Sequence, residues 1–212
     1  MASSRHRIEM VLASDDIETT RAGDGRGRRG VAGTLITERL LGAAAEQGQG
    51  LAELKAIGDS LASRIRSMGV ALTGVAVPHT QRTTFTLGPN EIEMGVGLHG
   101  EPGHSREPFS NADSIVRHLS ETIIGDISRS TEKALLLVNG LGGTPPAELY
   151  LAYNSALRIM EEHSVRIERS LVGTYATSLD MQGLSITLAF LTDEEFSLWD
   201  SPVATAALRW GC

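Results

Sequence analysis

The sequence predicts an α/β domain, because segments with helical periodicity alternate with short apolar segments along most of the chain. Ala112–Ile124 carries apolar residues at helical spacing, whereas Lys133–Asn139 is apolar almost without interruption, which is typical of a buried strand. The 212 residues are 41% hydrophobic and 21% charged. This composition is that of a globular chain long enough to bury a sizeable core.

The first third of the chain predicts one isolated strand followed by a pair of helices. Arg7–Ala13 contains a short apolar run that ends at the turn residues Ser14–Asp16, and no second strand lies nearby in sequence. Thr34–Glu46 and Leu51 to about Met68 have apolar residues in helical register. The glycine-containing break between these two segments is short enough for an antiparallel helical pair.

Beyond residue 69, predicted strands and helices alternate. The predicted strands are Val70–Val77, Met94–Leu98, Lys133–Asn139, Val165–Val172 and Leu184–Leu191, and the predicted helices are Ala112–Ile124, Pro145–His163 and a short one from Thr192 to about Trp199. We expect Asn111 or Ser110 to start the first of these helices. Thr144 is expected to cap the second helix, with Pro145 at its first position.

Charge and cysteine content exclude several functional classes. Nineteen Lys and Arg residues against 26 Asp and Glu residues give a net charge of −7, so nucleic acid is not expected as a partner, despite the cluster of Arg26, Arg28 and Arg29. Cys212 is the only cysteine, which excludes an intramolecular disulfide and a cysteine-based metal site. The sequence shows neither a secretory signal nor an apolar run long enough to span a membrane. We therefore expect a cytoplasmic protein without a membrane partner.

Gly25, Gly27 and Gly30 form the G-x-G-x-x-G pattern of dinucleotide-binding loops. The match is weak, because the preceding predicted strand ends well before the first glycine and no acidic residue follows at the expected strand end. The pattern also lacks the G-K-[S/T] ending of a phosphate-binding loop. We interpret this segment as a flexible or helix-capping loop.

Gly95–Gly103 is the most unusual stretch of the sequence, since it places a histidine and a carboxylate among glycines at the end of a predicted strand. Loops held on rigid strands frequently carry function. Gly97 and Gly100 would let a small ligand approach the backbone closely. The neutral imidazole of His99 offers a nucleophilic nitrogen, a general base or a hydrogen-bond donor.

A metal site on this loop is not expected. His99, Glu101 and His104 cannot share a helical face across Pro102 and Gly103, which excludes the spacing of helical zinc sites. The residues themselves leave a structural alternative open, in which His99 only satisfies buried carbonyl groups at the end of a strand.

Two further turns carry polar residues that could either bind a ligand or stabilise the fold. Asn139–Pro145 joins a buried strand to a helix through a glycine-rich loop, and such a loop can hold an anion at the helix N-terminus. Thr177–Gly183 places hydroxyl groups and a carboxylate before a strand. We favour the structural role for both turns. The sequence contains no G-x-S-x-G motif, so a serine hydrolase has no support.

Several ordered motifs carry a family resemblance. The main ones are Asn90–Met94, Gly95–Gly103, Asn139–Pro145 and Thr177–Thr187, and further support comes from Gly30–Thr34, Gly42–Ala45, Leu198–Val203 and Trp210–Gly211. Together they resemble the substrate-binding subunit of dihydroxyacetone kinases. The resemblance extends from about Ile8 to the end of the chain, and motifs in this order are far more specific than a single fingerprint.

The resemblance implies a fold and a domain organisation. It implies a mixed β-sheet with helices packed mainly on one face, as in the second lobe of the family's substrate-binding domain. Residues 1–30 would be a remnant strand and a loop rich in glycine and arginine, and residues 31–212 would form the lobe. The resemblance also implies a homodimer, and the need of a sheet covered on one side for something against its other face supports this expectation.

The resemblance also assigns a role to the glycine-rich loop. In the family, the histidine of a His-Gly-Glu-Pro motif captures dihydroxyacetone as a covalent hemiaminal, and this motif falls on His99. Gly97 and Gly100 would shape the substrate pocket. The family's N-terminal lobe, with a second histidine on another His-Glu-Pro loop and a later aspartate, has no counterpart in this sequence.

The implied function is the binding of a short ketose within a dihydroxyacetone (glycerone) kinase of glycerol metabolism that is assembled from several chains. This chain would bind no cofactor, ATP or ADP with Mg²⁺ would bind to a nucleotide-binding partner subunit, and another chain would supply the missing lobe. The alternatives are a non-catalytic ketose sensor that reports to a partner protein, and an inactive truncated subunit. The sequence does not decide between them, and it identifies neither the ketose or aldose nor the phosphoryl donor.

Overall fold

A six-stranded mixed sheet forms the centre of the computed structural model, which describes residues 6–18, 27–80 and 82–211. Its strands are β1 (Ile65–Ala71), β2 (Glu91–Met94), β3 (Ser105–Pro108), β4 (Lys133–Gly140), β5 (Arg166–Gly173) and β6 (Gly183–Phe190). They lie in the order β3-β2-β1-β6-β4-β5. Of these neighbours, β4 and β5 pair in parallel and the others are antiparallel.

Helices cover both faces of this sheet. In the described residues they are α1 (Gly33–Glu46), α2 (Leu51–Leu61), α3 (Ala112–Asp126), α4 (Pro146–Glu162) and α5 (Asp193–Trp199), and β7 (Val203–Ala204) and β8 (Arg209–Trp210) form a separate hairpin. Helices α1, α2 and α5 pack on one face with Leu135 and Leu137 of β4. Helices α3 and α4 pack on the other face with Leu136 and Val138. Among the described residues, no helix combines the length and the apolar character needed to cross a bilayer.

The mixed α/β sheet confirms the predicted fold class, but the expectation that the helices lie mainly on one face is wrong. Side chains alternate between the two faces of a strand, and β4 is buried and apolar at Leu135 as well as at Leu136. A strand of this kind needs cover on both faces. The argument for a homodimer from an uncovered face therefore falls away, and the homodimer stays a prediction.

The main boundary error concerns α2 and β1. The helix predicted from Leu51 to Met68 ends at Leu61, and the residues from Ile65 onward belong to β1. Every residue of β1 is buried, and each one pairs with β6. Sheet pairing and burial on both faces therefore override the helical spacing of Leu61 and Ile65.

Two predicted strands are displaced along the chain for the same reason. The strands predicted at Val70–Val77 and Met94–Leu98 begin earlier, as β1 and β2, so that Gly95–Leu98 lies in the loop after β2. Strand β3 has no counterpart in the sequence prediction. The other helices and strands predicted after residue 30 are confirmed, with ends that shift by one or two residues.

The strand predicted at Arg7–Ala13 is not observed. Residues 7–15 have no regular secondary structure, and a single parallel bridge joins Asp16 to Ser67 of β1. Large apolar side chains alternate on the exposed side of this segment, namely Ile8, Met10 and Leu12. An apolar run without a neighbouring strand cannot complete a ladder of hydrogen bonds. The division of the chain at residue 30 remains a prediction.

The buried carboxylate of Asp15 connects this segment to the sheet and to the first helix. It accepts hydrogen bonds from the Val31 N–H at 3.0 Å, the Gly33 N–H at 2.8 Å and the Ser67 hydroxyl at 2.5 Å. Asp15 is 3% exposed. The free N–H groups at the start of α1 are thus satisfied by a side chain from outside the helix.

Arg39 of α1 contacts both α5 and the C-terminal hairpin. The guanidinium of Arg39 lies 4.3 Å from the ring centre of Trp199 and 5.2 Å from that of Trp210, and it also donates to the Trp199 carbonyl. The two indole rings meet edge to face at 6.0 Å. This cation–π arrangement joins the hairpin, α5 and α1.

Thr144 does not cap α4, contrary to the prediction. The N-cap is Pro145, and the first helical residue is Pro146. The buried hydroxyl of Thr144 instead accepts from the Gly183 N–H at 2.8 Å and donates to the Gly183 carbonyl at 2.7 Å. This pair of hydrogen bonds ties the loop after β4 to the first residue of β6. The cap predicted at Asn111 is confirmed, since its side chain accepts from a backbone N–H in the first turn of α3.

Replacing Thr144 with Val should lower the free energy of unfolding by about 1 to 3 kcal/mol, because the Gly183 N–H would lose its buried acceptor. Urea denaturation followed by circular dichroism measures this change. The exposed Thr86→Val variant is the matched control, and we expect it to stay within about 0.5 kcal/mol of the original protein. Equal stability of the two variants would contradict the assignment.

Candidate functional site

Four loops meet at one end of the sheet around a small hydrophobic cluster of their own. The loops are residues 72–90, 95–104, 141–145 and 174–182, and the cluster consists of Ala71, Val75, Phe85, Val96, Leu141 and Met181. Val96 anchors the loop that carries His99, which we call the histidine loop (residues 95–104). A loop that is packed in this way can present a side chain in a defined position.

The two predicted pocket glycines flank His99 and are required by close contacts. Gly100 has a φ of +77°, and a Cβ atom there would lie 2.7 Å from the Thr84 methyl group. A Cβ atom on Gly97 would lie 2.3 Å from Oε2 of Glu101 and 2.7 Å from Nη1 of Arg29. Both glycines therefore let neighbouring side chains approach the backbone of the histidine loop. Their contact with a ligand stays a prediction.

His99 projects from this loop and is paired with Glu101. The imidazole is 86% exposed, and its Nδ1 lies 3.3 Å from Oε1 of Glu101. The His99 N–H donates to Oε2 of the same carboxylate at 2.8 Å. In the described part of the chain, the ring is hydrogen-bonded to Glu101 and to no buried carbonyl, which does not fit the structural alternative.

The electrostatics of this pair define which ring nitrogen is available. Partial burial alone would raise the pKa of Glu101, but hydrogen bonds from its own N–H and from His99, together with the charge of Arg29, hold it below its usual value. An ionised carboxylate only accepts hydrogen bonds, so Nδ1 of a neutral His99 is the donor in this contact. Nε2 then carries the lone pair. The arrangement presents a nucleophilic imidazole nitrogen to solvent.

A layer of charged residues lies beneath the histidine loop, and sequence reasoning did not find it. Arg29 donates to Asp16 at 2.8 Å and to the carbonyl of Gly95 at 3.2 Å. Glu18 is 2% exposed, and its carboxylate lies 2.5 Å from Nδ1 of His104. Asp16 and Glu18 are more than sixty residues from the loop in sequence, so no local spacing could reveal these contacts.

The other predicted motifs have structural contacts here. The buried side chain of Asn139 accepts from the N–H groups of Tyr175 and Ala176, each at 2.9 Å, and Asp180 accepts from the Ala76 N–H at 3.0 Å. These bonds hold the loops of the site together, as favoured from the sequence. In the Gly25–Gly30 pattern, Gly25 and Arg26 lie outside the described residues, as does Cys212. The described residues contain no group of three or more His, Cys, Asp or Glu side chains placed to hold a metal ion.

The architecture is that of an α/β domain which presents one histidine from a glycine-rich loop at the end of its sheet. A family model described as the Dak1 domain matches residues 1–207. The chain belongs to the Dak1 family.

Relatives within this family include kinase subunits and a regulator. The dihydroxyacetone-binding subunit DhaK of the PEP-dependent dihydroxyacetone kinase of Escherichia coli K12 is 39% identical over 230 residues, which cover 97% of this chain and 65% of that protein. The structure of a dihydroxyacetone kinase operon co-activator, DhaQ, superposes with a TM-score of 0.85 at 34% identity, covering 91% of this chain and 60% of that one.

A dihydroxyacetone kinase is also similar in structure. The dihydroxyacetone kinase of C. freundii in complex with AMP-PNP and Mg²⁺ superposes with a TM-score of 0.80 at 29% identity, covering 95% of this chain and 37% of that one. The present chain spans less than two thirds of the length of the curated relatives that it matches first.

The buried position of Asp16 predicts a specific pH dependence of stability. Burial raises the pKa of this carboxyl group to about 6, although Arg29 and a backbone N–H lower it. The native state therefore keeps a proton that the unfolded chain releases near its ordinary pKa of about 4. The contribution of Asp16 to stability falls as the pH rises from about 4 to 6, and it is constant above that range.

The Asp16→Asn variant should gain stability relative to the original protein as the pH rises across this interval, by on the order of 2 to 3 kcal/mol. Urea denaturation of both proteins at several pH values measures the difference between their free energies of unfolding. The contributions of the other titrating groups are the same in both proteins and cancel in this difference. A difference that is independent of pH would show that Asp16 is already ionised in the native state at pH 4.

Proposed function

We propose that this chain binds dihydroxyacetone or a similar short ketose, captured by His99 as a covalent hemiaminal, as the ketose-binding part of a multi-chain dihydroxyacetone kinase in the cytoplasm. The observation that carries the proposal is the exposed imidazole of His99, held at Nδ1 by the carboxylate of Glu101. The family membership and the similarity to a dihydroxyacetone-binding subunit support it.

The capture step is a reversible addition in which every atom of the ketose is retained. The lone pair of His99 Nε2 forms a bond to the carbonyl carbon, and the π electrons of the C=O bond move to the oxygen. That oxygen takes up a proton, and the Nδ1 proton leaves through Glu101, which is placed to accept it. Glycerol has no carbonyl group and cannot form this adduct, so covalent capture selects for the ketose.

The same adduct would prepare the substrate for phosphoryl transfer. A ketose fixed through its carbonyl holds its terminal hydroxyl group in one place, and positioning supplies much of the rate of this reaction. ATP or ADP with Mg²⁺ belongs in this proposal to a partner subunit, because no phosphate-binding loop occurs in the sequence. The other proposed partners are a chain with an N-terminal lobe and a second copy of this chain.

A regulatory role is the second candidate function. The co-activator structure has the higher TM-score of the two structures compared above, 0.85 against 0.80. In this case His99 would bind a ketose in the same way, and the bound state would be passed on to a partner protein without phosphoryl transfer.

Replacing His99 with Ala should abolish the covalent adduct, because the other imidazole of the loop, that of His104, is only 32% exposed and lies against the buried carboxylate of Glu18. Native mass spectrometry with dihydroxyacetone measures the bound ketose, and ¹³C NMR of dihydroxyacetone labelled at its carbonyl carbon separates the hemiaminal from a non-covalently bound ketone. The expected mass increase equals one whole ketose, whereas a Schiff base on a lysine would be lighter by one water.

The matched control is His118→Ala, which removes an exposed histidine from α3 and should leave the adduct unchanged. Circular dichroism should show the same fold for both variants. An adduct that survives in the His99→Ala variant would refute the assignment of the capture residue.

The purified chain alone should not phosphorylate dihydroxyacetone from ATP and Mg²⁺, since phosphoryl transfer needs a metal-bound nucleotide held in line with the acceptor hydroxyl. A coupled assay for triose phosphate measures turnover. Addition of a nucleotide-binding subunit and a chain with the N-terminal lobe should restore turnover if the chain is part of a kinase. A regulator would stay inactive under these conditions, and turnover by the chain alone would contradict the proposal.

A further inference from the structure

The arginine-containing segment before α1 places two neighbouring side chains in different surroundings. Arg28 pairs with Asp126 at the end of α3 at 2.7 Å, which joins two surface elements. Arg29 turns towards the histidine loop, and its guanidinium is 26% exposed. Among the described residues, Arg28 thus contacts α3, whereas Arg29 is directed towards the candidate site.

Arg29 is held firmly from one side. Its Nε donates to Oδ2 of Asp16 at 2.8 Å, and its Nη2 lies 2.6 Å from the same oxygen atom. The backbone carbonyl of Arg29 accepts from the Asp16 N–H at 3.1 Å. Because Asp16 is 2% exposed and itself adjoins the bridge to β1, this ion pair fixes the guanidinium relative to the sheet.

The remaining donors of Arg29 face the histidine loop at two points. Nη2 donates to the carbonyl of Gly95 at 3.2 Å. Nη1 lies against the Cα atom of Gly97, on the side where Oε2 of Glu101 also lies, since a Cβ atom there would be 2.7 Å from the first and 2.3 Å from the second. The guanidinium therefore reaches both the start of the loop and the carboxylate that holds His99.

We propose that Arg29 is a positioning residue for His99 that acts through Glu101. It fixes the start of the histidine loop at Gly95 and keeps a positive charge beside the Glu101 carboxylate. This carboxylate accepts the Nδ1 proton of His99 and leaves the lone pair on Nε2, where the ketose is captured. The capture of a ketose by this lone pair rests on the proposed function. The tautomer of His99 does not, because it can be measured in the protein without a ligand.

The shape of the guanidinium explains why lysine would not serve equally well. Arginine presents several donors in a rigid fork, so that one side chain can bond Asp16 and the Gly95 carbonyl and still lie beside Glu101. A lysine carries the charge on one compact ammonium group. It would keep part of the electrostatic effect and lose the geometry.

The test measures the ring nitrogens of His99 in the full chain without ligand, by long-range ¹H–¹⁵N correlation at a pH of about 8.5, where ordinary histidines are neutral. The His99→Ala variant assigns the signals among the six histidines. We expect the Nδ1–H tautomer in the original protein and a shift towards Nε2–H in Arg29→Met. Glu101→Gln should show the same shift, and Arg28→Met, the matched control, should show none.

The second measurement is the affinity for dihydroxyacetone by native mass spectrometry. Arg29→Met should weaken binding on the order of tenfold or more, and Arg29→Lys by a smaller factor in the same direction. In a Glu101→Gln background, Arg29→Met should have little further effect on the affinity, because Arg29 acts on His99 through Glu101. Arg29→Lys keeps the charge beside Asp16, so it tests the proposal even if Arg29→Met does not fold.

Each result decides the matter. An unchanged tautomer in Arg29→Met, additive effects in the double variant, equal losses for Arg28→Met and Arg29→Met, or an Arg29→Lys protein identical to the original would overturn the proposal. If the original protein shows the Nδ1–H tautomer and the Arg29 dependence but forms no adduct with the ketose, the proposed function fails and the positioning role of Arg29 stands.

Discussion

The buried carboxylate of Asp15 is the interaction on which the site depends. Three hydrogen bonds from Val31, Gly33 and Ser67 fix residues 14–18 between the start of α1 and the first half of β1. Loss of this buried carboxylate would take away the acceptor of the Val31 and Gly33 N–H groups. Because Asp15 is fixed, its neighbours Asp16 and Glu18 occupy defined positions under the histidine loop. Residues 14–18 thus support the candidate site from below the histidine loop.

The edge of β1 explains why these two distant segments meet. Strand β2 pairs with β1 at Val70 and Ala71, and the Gly95 N–H still donates to the Gly69 carbonyl at 2.7 Å before the chain leaves the sheet. Further along β1, the bridge between Asp16 and Ser67 takes the place of β2. The histidine loop leaves the sheet at the point where the N-terminal segment joins it. The histidine loop and the N-terminal segment are therefore in contact because both lie along the same edge of β1.

Periodicity predicted most helices and strands, because apolar spacing reflects which face of an element is buried. It failed at Ile65–Met68, where apolar residues fit both periods and strand pairing decided the outcome. Local composition singled out the glycine-rich loop with His99 as a candidate site, and the resemblance supplied the capture chemistry. Neither could find Asp16, Glu18 or Arg29 as neighbours of the loop, since these contacts join segments that only the folded chain brings together. Placement of helices on both faces likewise became clear only from the packing of β4.

The aromatic arrangement around Arg39 has a consequence for optical measurements. Trp199 and Trp210 are the only two tryptophans, and both pack on the same guanidinium in the cluster formed by α1 and α5. Trp199 is fully buried and packs in a core cluster with residues of the central strands, whereas Trp210 is half-buried in the hairpin itself. The histidine loop packs in a different cluster, through Val96. The emission of Trp210 is accordingly a local probe of the hairpin, and a change in it that precedes the loss of secondary structure would mean that the hairpin detaches before the sheet melts.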